Sequence, residues 1–125
     1  MSQPQKTCLV ADDHDVIRRV VGHMLSAFGI AYSEARSGAD VLAVCATSKP
    51  DAILLDWILP DQSGLVCLDA LRRTAGGART PVIYCMSEND HTQFARALAV
   101  GADAVIIKPF DRATLHQKLV DVGMI

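Results

Sequence analysis

Residues 52–64 read AILLDWILPDQSG. Ala52 to Leu55 form a short, wholly apolar run that stops at an acid and is followed by turn residues, the pattern of a parallel strand buried on both faces. Two other runs end in the same way. Cys8 to Ala11 stops at Asp12 and Asp13, and Ala104 to Ile107 stops at Lys108. If the three runs are neighbouring parallel strands, three carboxylates and one amine meet at one edge of a sheet. Like charges held that close disfavour shared ionisation, so the cluster makes sense chiefly where a divalent cation and a transferred anion neutralise it.

Working outward from these runs, amphipathic segments alternate with them. Val16, Ile17, Val20, Val21, Met24, Leu25 and Phe28 recur at helical spacing and predict a first helix, stopped at Gly29. Ala31 to Ala35, with Ser33 and Glu34, reads as a half-exposed edge strand. Ser37 with Asp40 resembles a capping box ahead of Val41, Leu42 and Cys45. A third helix is expected from about Ser63 with Leu65, Leu68 and Leu71 inward, and Gly76 and Gly77 open a loop. Pro81 to Cys85 reads as a fourth strand. The fourth helix is expected to turn Phe94, Ala95, Leu98 and Ala99 inward and to close at Gly101. Ala104 to Ile107 makes the fifth strand, and the last helix begins near Asp111 and carries Leu115, Leu119 and Val122. Five strands alternating with five helices predict an α/β fold, a five-stranded doubly wound parallel sheet with helices on both faces. Ligands in that architecture bind beyond the carboxyl ends of the strands, where the charged residues stand.

With 125 residues, half of them apolar, the chain is sized for one domain, expected over 7–125 behind a flexible tail at 1–6. A net charge of −2 without a basic block gives no support to direct nucleic-acid binding. Cys8, Cys45, Cys67 and Cys85 lie far apart inside apolar stretches and read as reduced core thiols rather than zinc ligands or disulfides. MSQPQK at the N-terminus has no apolar h-region, and no run reaches membrane-spanning length, so a cytoplasmic protein without a membrane partner is expected.

Asp12-Asp13, the segment LLDWILPDQSG from Leu54 to Gly64, and IKPF from Ile107 to Phe110 together resemble the receiver domain of two-component response regulators, in the single-domain, CheY-like style. The resemblance runs from about Thr7 to Val122. It implies a flavodoxin-like strand order 2-1-3-4-5. It also implies that Asp56 is the phosphoacceptor, receiving a phosphoryl group from a histidine kinase or histidine phosphotransfer protein to form an acyl phosphate. Asp13 would bind Mg²⁺ directly and Asp12 through water, with an Asp56 oxygen and the Ile58 carbonyl completing the protein's share. Lys108 would meet a phosphate oxygen, and the Lys108–Pro109 bond would be cis. Such a chain is no enzyme beyond its own phosphorylation and dephosphorylation; with no effector segment following, its output is an unknown protein partner. Singly, Asp12 or Asp13 would serve as helix caps, Asp56 as a turn residue and Lys108 as a solvated lysine. Asp61 and Gly64 fit turn chemistry without a catalytic role.

The chain departs from the family at two switch positions. Met86 stands where receivers place Thr or Ser, and it has no hydroxyl to donate to a phosphoryl group; Ser87 follows, but strand alternation carries it to the other face. Val105 stands where switching receivers carry Tyr or Phe. An alternative reading is therefore a phosphate sink or constitutive docking module. A third, an aspartyl-phosphate phosphatase, lacks the acid usually found two residues after the nucleophile, where Ile58 stands. Ile58 and Glu88 border the phosphoryl position. His14 reads as a solvent-facing residue at the first helix in preference to a metal ligand or phosphocarrier. Arg18, Arg19 and His23 are expected to face the donor, and Arg96, Val105, Arg112 and His116 the target.

Overall fold

A computed structural model of the chain describes residues 5–74 and 79–125. Five strands alternate with five helices: β1 Thr7–Ala11, α1 Asp15–Ala27, β2 Ala31–Ala35, α2 Gly38–Thr47, β3 Ala52–Asp56, α3 Gly64–Arg73, β4 Val82–Met86, α4 His91–Val100, β5 Ala104–Ile107 and α5 Arg112–Asp121. All pairs are parallel and the order is β2-β1-β3-β4-β5, as expected. The order reverses at β1, so the crevice at the carboxyl ends of β1 and β3 is the place where this architecture leaves room for a ligand.

The pleat divides the core. Leu9, Leu55 and Tyr84 point into a layer closed by Val41, Cys45, Cys67, Leu68, Leu71 and Ala97 of α2, α3 and α4. Val10, Leu54, Ile83 and Ile106 point the other way, onto Val21 and Leu25 of α1 and Leu115 and Leu119 of α5. Leu54, Leu55, Leu68 and Leu115 are among the fully buried side chains; each stabilises the fold by on the order of 2 kcal/mol. The four cysteines are free and buried, and burial pushes the Cys8 and Cys67 thiols up to about 12.

Helix signals were largely legible. Ser37 and Ser63 accept from the amides of Asp40 and Val66, and Asp111 accepts from Thr114, each satisfying an orphan N–H of the first turn. Asp40 closes its half of the expected box one residue early, on the Arg36 amide. Gly29 and Gly101 end α1 and α4 with φ of 78° and 128°, a region open to glycine. The loop expected at Gly76 and Gly77 lies outside the described residues.

α1 buries only part of its apolar pattern, and α4 buries a different arc from the one expected. In α1 the sheet takes Arg18, Val21, Gly22 and Leu25, whereas Val16, Ile17 and Val20 are exposed. The helix carries two adjacent apolar arcs, and Gly22 lies on the one that packs: a Cβ there would lie 2.3 Å from the Tyr32 ring, which would have to move aside. In α4, Ala97 is buried with Phe94 and Val100 partly so, while Ala95, Leu98 and Ala99 face outward. In an alanine-rich helix the inward arc is set by the bulky Phe94 and Val100, three residues either side of Ala97. At the N-terminus, Lys6 accepts from the Ala31 amide at 3.0 Å and Gln5 donates to the Gly29 carbonyl at 3.0 Å, so these two residues are tied to the fold; residues 1–4 lie outside the described ones.

Candidate functional site

Asp12, Asp56 and Lys108 sit two residues beyond Val10, Leu54 and Ile106, in the same phase of the pleat. Asp12 and Asp56 are buried, and Lys108 Nζ lies 2.9 Å from Asp12 Oδ2 and 3.0 Å from Asp56 Oδ1. The amine thus bridges two carboxylates brought from strands far apart in sequence. Its own amide donates to the Met86 carbonyl at 2.7 Å, fixing the β5 end against β4, and the Lys108–Pro109 bond is cis.

The electrostatics divide the two acids. Burial pushes Asp12 up, but donation from the His14 amide, Lys108 and the His14 ring outweighs it and holds the carboxyl below its ordinary value. For Asp56 burial wins over the Lys108 contact, and the Asp12 charge adds to it, so its carboxyl titrates above the ordinary range. Lys108 is held charged: burial works against the ammonium, yet the bonds to Asp12 and Asp56 raise it above its usual value.

Asp13 is exposed beside this pair. His14, the N-cap of α1, is exposed as expected but is not idle: its Nδ1 lies 2.8 Å from Asp12 Oδ1 and 3.0 Å from Asp13 Oδ1. Those two acids raise the imidazole above its ordinary value. One donor atom from each of Asp12, Asp13 and His14 falls within 4.8 Å of the others, a grouping of the size a metal ion needs. Oxygen donors dominate it, as a hard divalent cation requires, and the Ile58 residue is exposed at the rim. Asp56 stands outside that grouping, with Oδ1 held by Lys108 and by the Trp57 amide at 3.0 Å.

The loop after β3 is built to hold Asp56. Ile58 and Ser63 form an isolated bridge, with Leu59 donating to Gln62 and Gly64 to Trp57. A Cβ on Gly64 would sit 2.5 Å from the Asp56 carbonyl and 2.7 Å from Tyr84, so glycine is required by close approach. Asp61 has a role beyond the turn: its carboxylate accepts from the Gly38 and Ala39 amides at 2.8 and 3.0 Å, capping α2 from another loop. Those bonds depress its carboxyl. A group depressed in the folded state stabilises above its unfolded value, here near 3.8, and loses that contribution as pH falls through the folded value. Asp61→Ala is therefore expected to melt below the parent at pH 7 and to converge with it as pH drops below 3.8; thermal melts across pH check this.

Arg18 is corrected from surface to interior. It is buried, donates to the Asp12 carbonyl at 2.6 Å and to Glu34 at 3.1 Å, and pairs with Asp15, so it braces the acidic end of β1 rather than facing a donor. Arg19 and His23 are exposed. His116 is likewise not on the face of Arg96 and Val105: its ring packs edge-on against Phe28, 5.1 Å away, at the end of α1. No sequence signal announced the Arg18–Glu34 and His116–Phe28 contacts, which join residues of different elements.

Met86 is fully buried in the layer of α2, α3 and α4. Ser87 is exposed and lines, with Lys108, Pro109, Phe110, Ile17 and Val20, a groove of about 490 Å³ beside α1. Val105 is half-buried and lines a larger open groove of about 700 Å³ between α4 and α5, with Phe94, Leu98, Ile107 and Phe110. Among the described residues no helix is long and apolar enough to cross a membrane.

The family model for the response regulator receiver domain matches residues 8–120. The chain is 35% identical over 114 residues to the phosphate regulon transcriptional regulatory protein PhoB of Pseudomonas aeruginosa, covering 91% of this chain and 50% of that one. It spans about half the length of the curated relatives it matches. Among solved structures it superposes on chemotaxis response regulator CheY4 of Vibrio cholerae with a TM-score of 0.89 at 28% identity, covering 95% of this chain and 99% of that chain. The receiver domain of sensor histidine kinase PA1611 of Pseudomonas aeruginosa, with a magnesium ion coordinated in its active site cleft, gives 0.86 at 25% identity, covering 96% and 99%. With its sheet order, its acidic crevice and a match across nearly its whole length, the chain belongs to the response regulator receiver domain family of two-component signalling.

Proposed function

We propose that this receiver domain accepts a phosphoryl group on Asp56 from a histidine kinase or histidine phosphotransfer protein in the cytoplasm and passes the signal on by protein contact. The observation that carries this is the Lys108 ammonium held between the buried carboxylates of Asp12 and Asp56, at 2.9 and 3.0 Å, at the switch point of the sheet. An Asp56 oxygen attacks the phosphorus, the bond to the donor's imidazole nitrogen breaks, and an aspartyl phosphate forms. Phosphoryl transfer depends on positioning and charge neutralisation. Lys108 is placed to leave Asp56 for a phosphoryl oxygen while keeping Asp12. Asp13 and Asp12, with an Asp56 oxygen and the Ile58 carbonyl, fit Mg²⁺, which supplies the remaining positive charge when bound. The chain catalyses only its own phosphorylation and dephosphorylation.

A second reading, a phosphate sink or constitutive docking module, is favoured by Met86, whose buried thioether cannot donate to a phosphoryl group, and by Val105, which has no ring to reorient. The two readings differ in whether partner affinity depends on phosphorylation. Incubation with acetyl phosphate and Mg²⁺ is expected to add one phosphoryl group by intact mass, and none when the metal is chelated. No addition, or addition indifferent to chelation, overturns the proposal.

A further inference from the structure

Phosphoacceptance on Asp56 makes no use of one donor in the acidic crevice. His14 occupies the N-cap of α1, yet its side chain makes no capping bond to the helix. The ring instead turns back over the acids, with Nδ1 at 2.8 Å from Asp12 Oδ1 and 3.0 Å from Asp13 Oδ1. Asp12 divides its oxygens: Oδ2 goes to Lys108 and Oδ1 faces the ring. Two carboxylate oxygens and an imidazole nitrogen therefore converge on the side away from the amine, within 4.8 Å of one another. Donors about 2.0–2.2 Å from one ion at octahedral or tetrahedral angles lie roughly 2.9–3.5 Å from each other, so the 2.8 and 3.0 Å separations from Nδ1 already suit a shared ion. The side chains of His14 and Asp13 are 66% and 41% exposed, which leaves the outer coordination positions open to water.

We infer that His14 ligates the divalent ion of this site through Nδ1, together with Asp12 and Asp13, so that the site prefers nitrogen-accepting ions such as Ni²⁺ or Zn²⁺ over Mg²⁺. The inference rests on the reading of the acid pair as the metal site. Its chemistry is that of the donor set. Mg²⁺ takes oxygen ligands and keeps its waters, so an imidazole adds little to its binding; first-row transition ions gain a bond from the same nitrogen. An ion entering between Nδ1 and the two acids takes the place of the proton that the ring shares with Asp12, and meets a lone pair at Nδ1. The family's acidic crevice would then work here as a mixed nitrogen and oxygen site.

The test compares the untagged full chain with His14→Ala. Trp57, the only tryptophan and the neighbour of Asp56, reports binding at this site by fluorescence, separately from histidines elsewhere. Loss of His14 is expected to weaken Ni²⁺ by at least about tenfold while changing Mg²⁺ by less than about threefold. The pulsed electron paramagnetic resonance of the Mn²⁺-loaded parent is expected to carry imidazole nitrogen coupling that the variant lacks. If Mg²⁺ binds but Ni²⁺ affinity is indifferent to residue 14, or no nitrogen coupling is seen, the inference falls alone. If neither ion binds the parent, the acid-pair reading falls and takes the inference with it.

Discussion

Asp56→Asn is expected to reduce phosphoryl uptake from acetyl phosphate by more than about 100-fold while leaving the chain folded. An amide oxygen is no nucleophile toward phosphorus, so the acyl phosphate cannot form. The fold survives because the change is isosteric at a buried position: Asn Oδ1 can still accept from the Trp57 amide, which lies 3.0 Å from Asp56 Oδ1. Lys108 keeps its contact with Asp12. Burial already disfavours the charged form of Asp56, so a neutral side chain costs little there, on the order of 1 kcal/mol or less. Intact-mass spectrometry reads the uptake and a thermal melt reads the fold. Undiminished uptake by a folded variant would move the acceptor to another acid of the crevice, Asp12 or Asp13.

Lys108→Ala is expected to have the largest effect on stability. The side chain is 19% exposed and its two partners, Asp12 and Asp56, are 5% and 6% exposed, so its removal strands two buried negative charges. Breaking a buried pair commonly costs 3–5 kcal/mol; the amine's partial exposure and the ability of Asp56 to take up a proton reduce this to about 2–3 kcal/mol at neutral pH. For a chain of this size that is a fall in Tm of roughly 8–11 °C. Because Asp56 titrates above its ordinary value, its protonated form is favoured in the fold; that contribution is present below 3.8 and lost as pH rises through the folded value. The deficit should therefore shrink at acidic pH. Mg²⁺ should raise the Tm of the variant more than that of the parent, since the ion replaces the lost cation. Phosphoryl uptake should fall by roughly 100-fold even so, because no ammonium meets the transferred group. A Tm unchanged at neutral pH would mean that the amine is not holding these acids.

Much of this site was legible in the chain because it depends on where apolar runs stop. Strand ends fix the height of Asp12, Asp56 and Lys108 at one edge, and alternation in the pleat puts all three in one phase. What could not be read was which arc of a helix faces in, since Val16 and Ile17 are as apolar as Val21 and Leu25; the close approach of Gly22 to the Tyr32 ring is a tertiary contact. Arg18 looked like a surface residue because charge is normally solvated, and only the Asp12 carbonyl and Glu34, brought together by β1 and β2, give it a buried place. Asp61 looked like a turn residue, which it is locally; its second role needs α2 to lie across from its loop. His14 is exposed as expected, and its pairing with two acids follows from a ring orientation that spacing does not encode.

Met86 and Val105 bear on how a signal travels from the acidic crevice. Met86 is packed into the layer that includes α4, so a change at the end of β4 has a mechanical route to that helix without a hydroxyl. The open groove beside Val105 gives the α4 and α5 face room to repack. Coupling through packing requires two discrete arrangements of these side chains with different affinity for a partner.

Amide chemical shifts with Mg²⁺ and beryllofluoride, a mimic of the aspartyl phosphate, test the central claim most directly. The account predicts Mg²⁺-dependent shifts at Asp13, Asp56, Trp57 and Lys108; spread to α4 and β5 would mark a working switch, and confinement to the crevice would mark the sink or docking reading. No shift at these residues with both Mg²⁺ and beryllofluoride at saturation would contradict Asp56 as the phosphoacceptor.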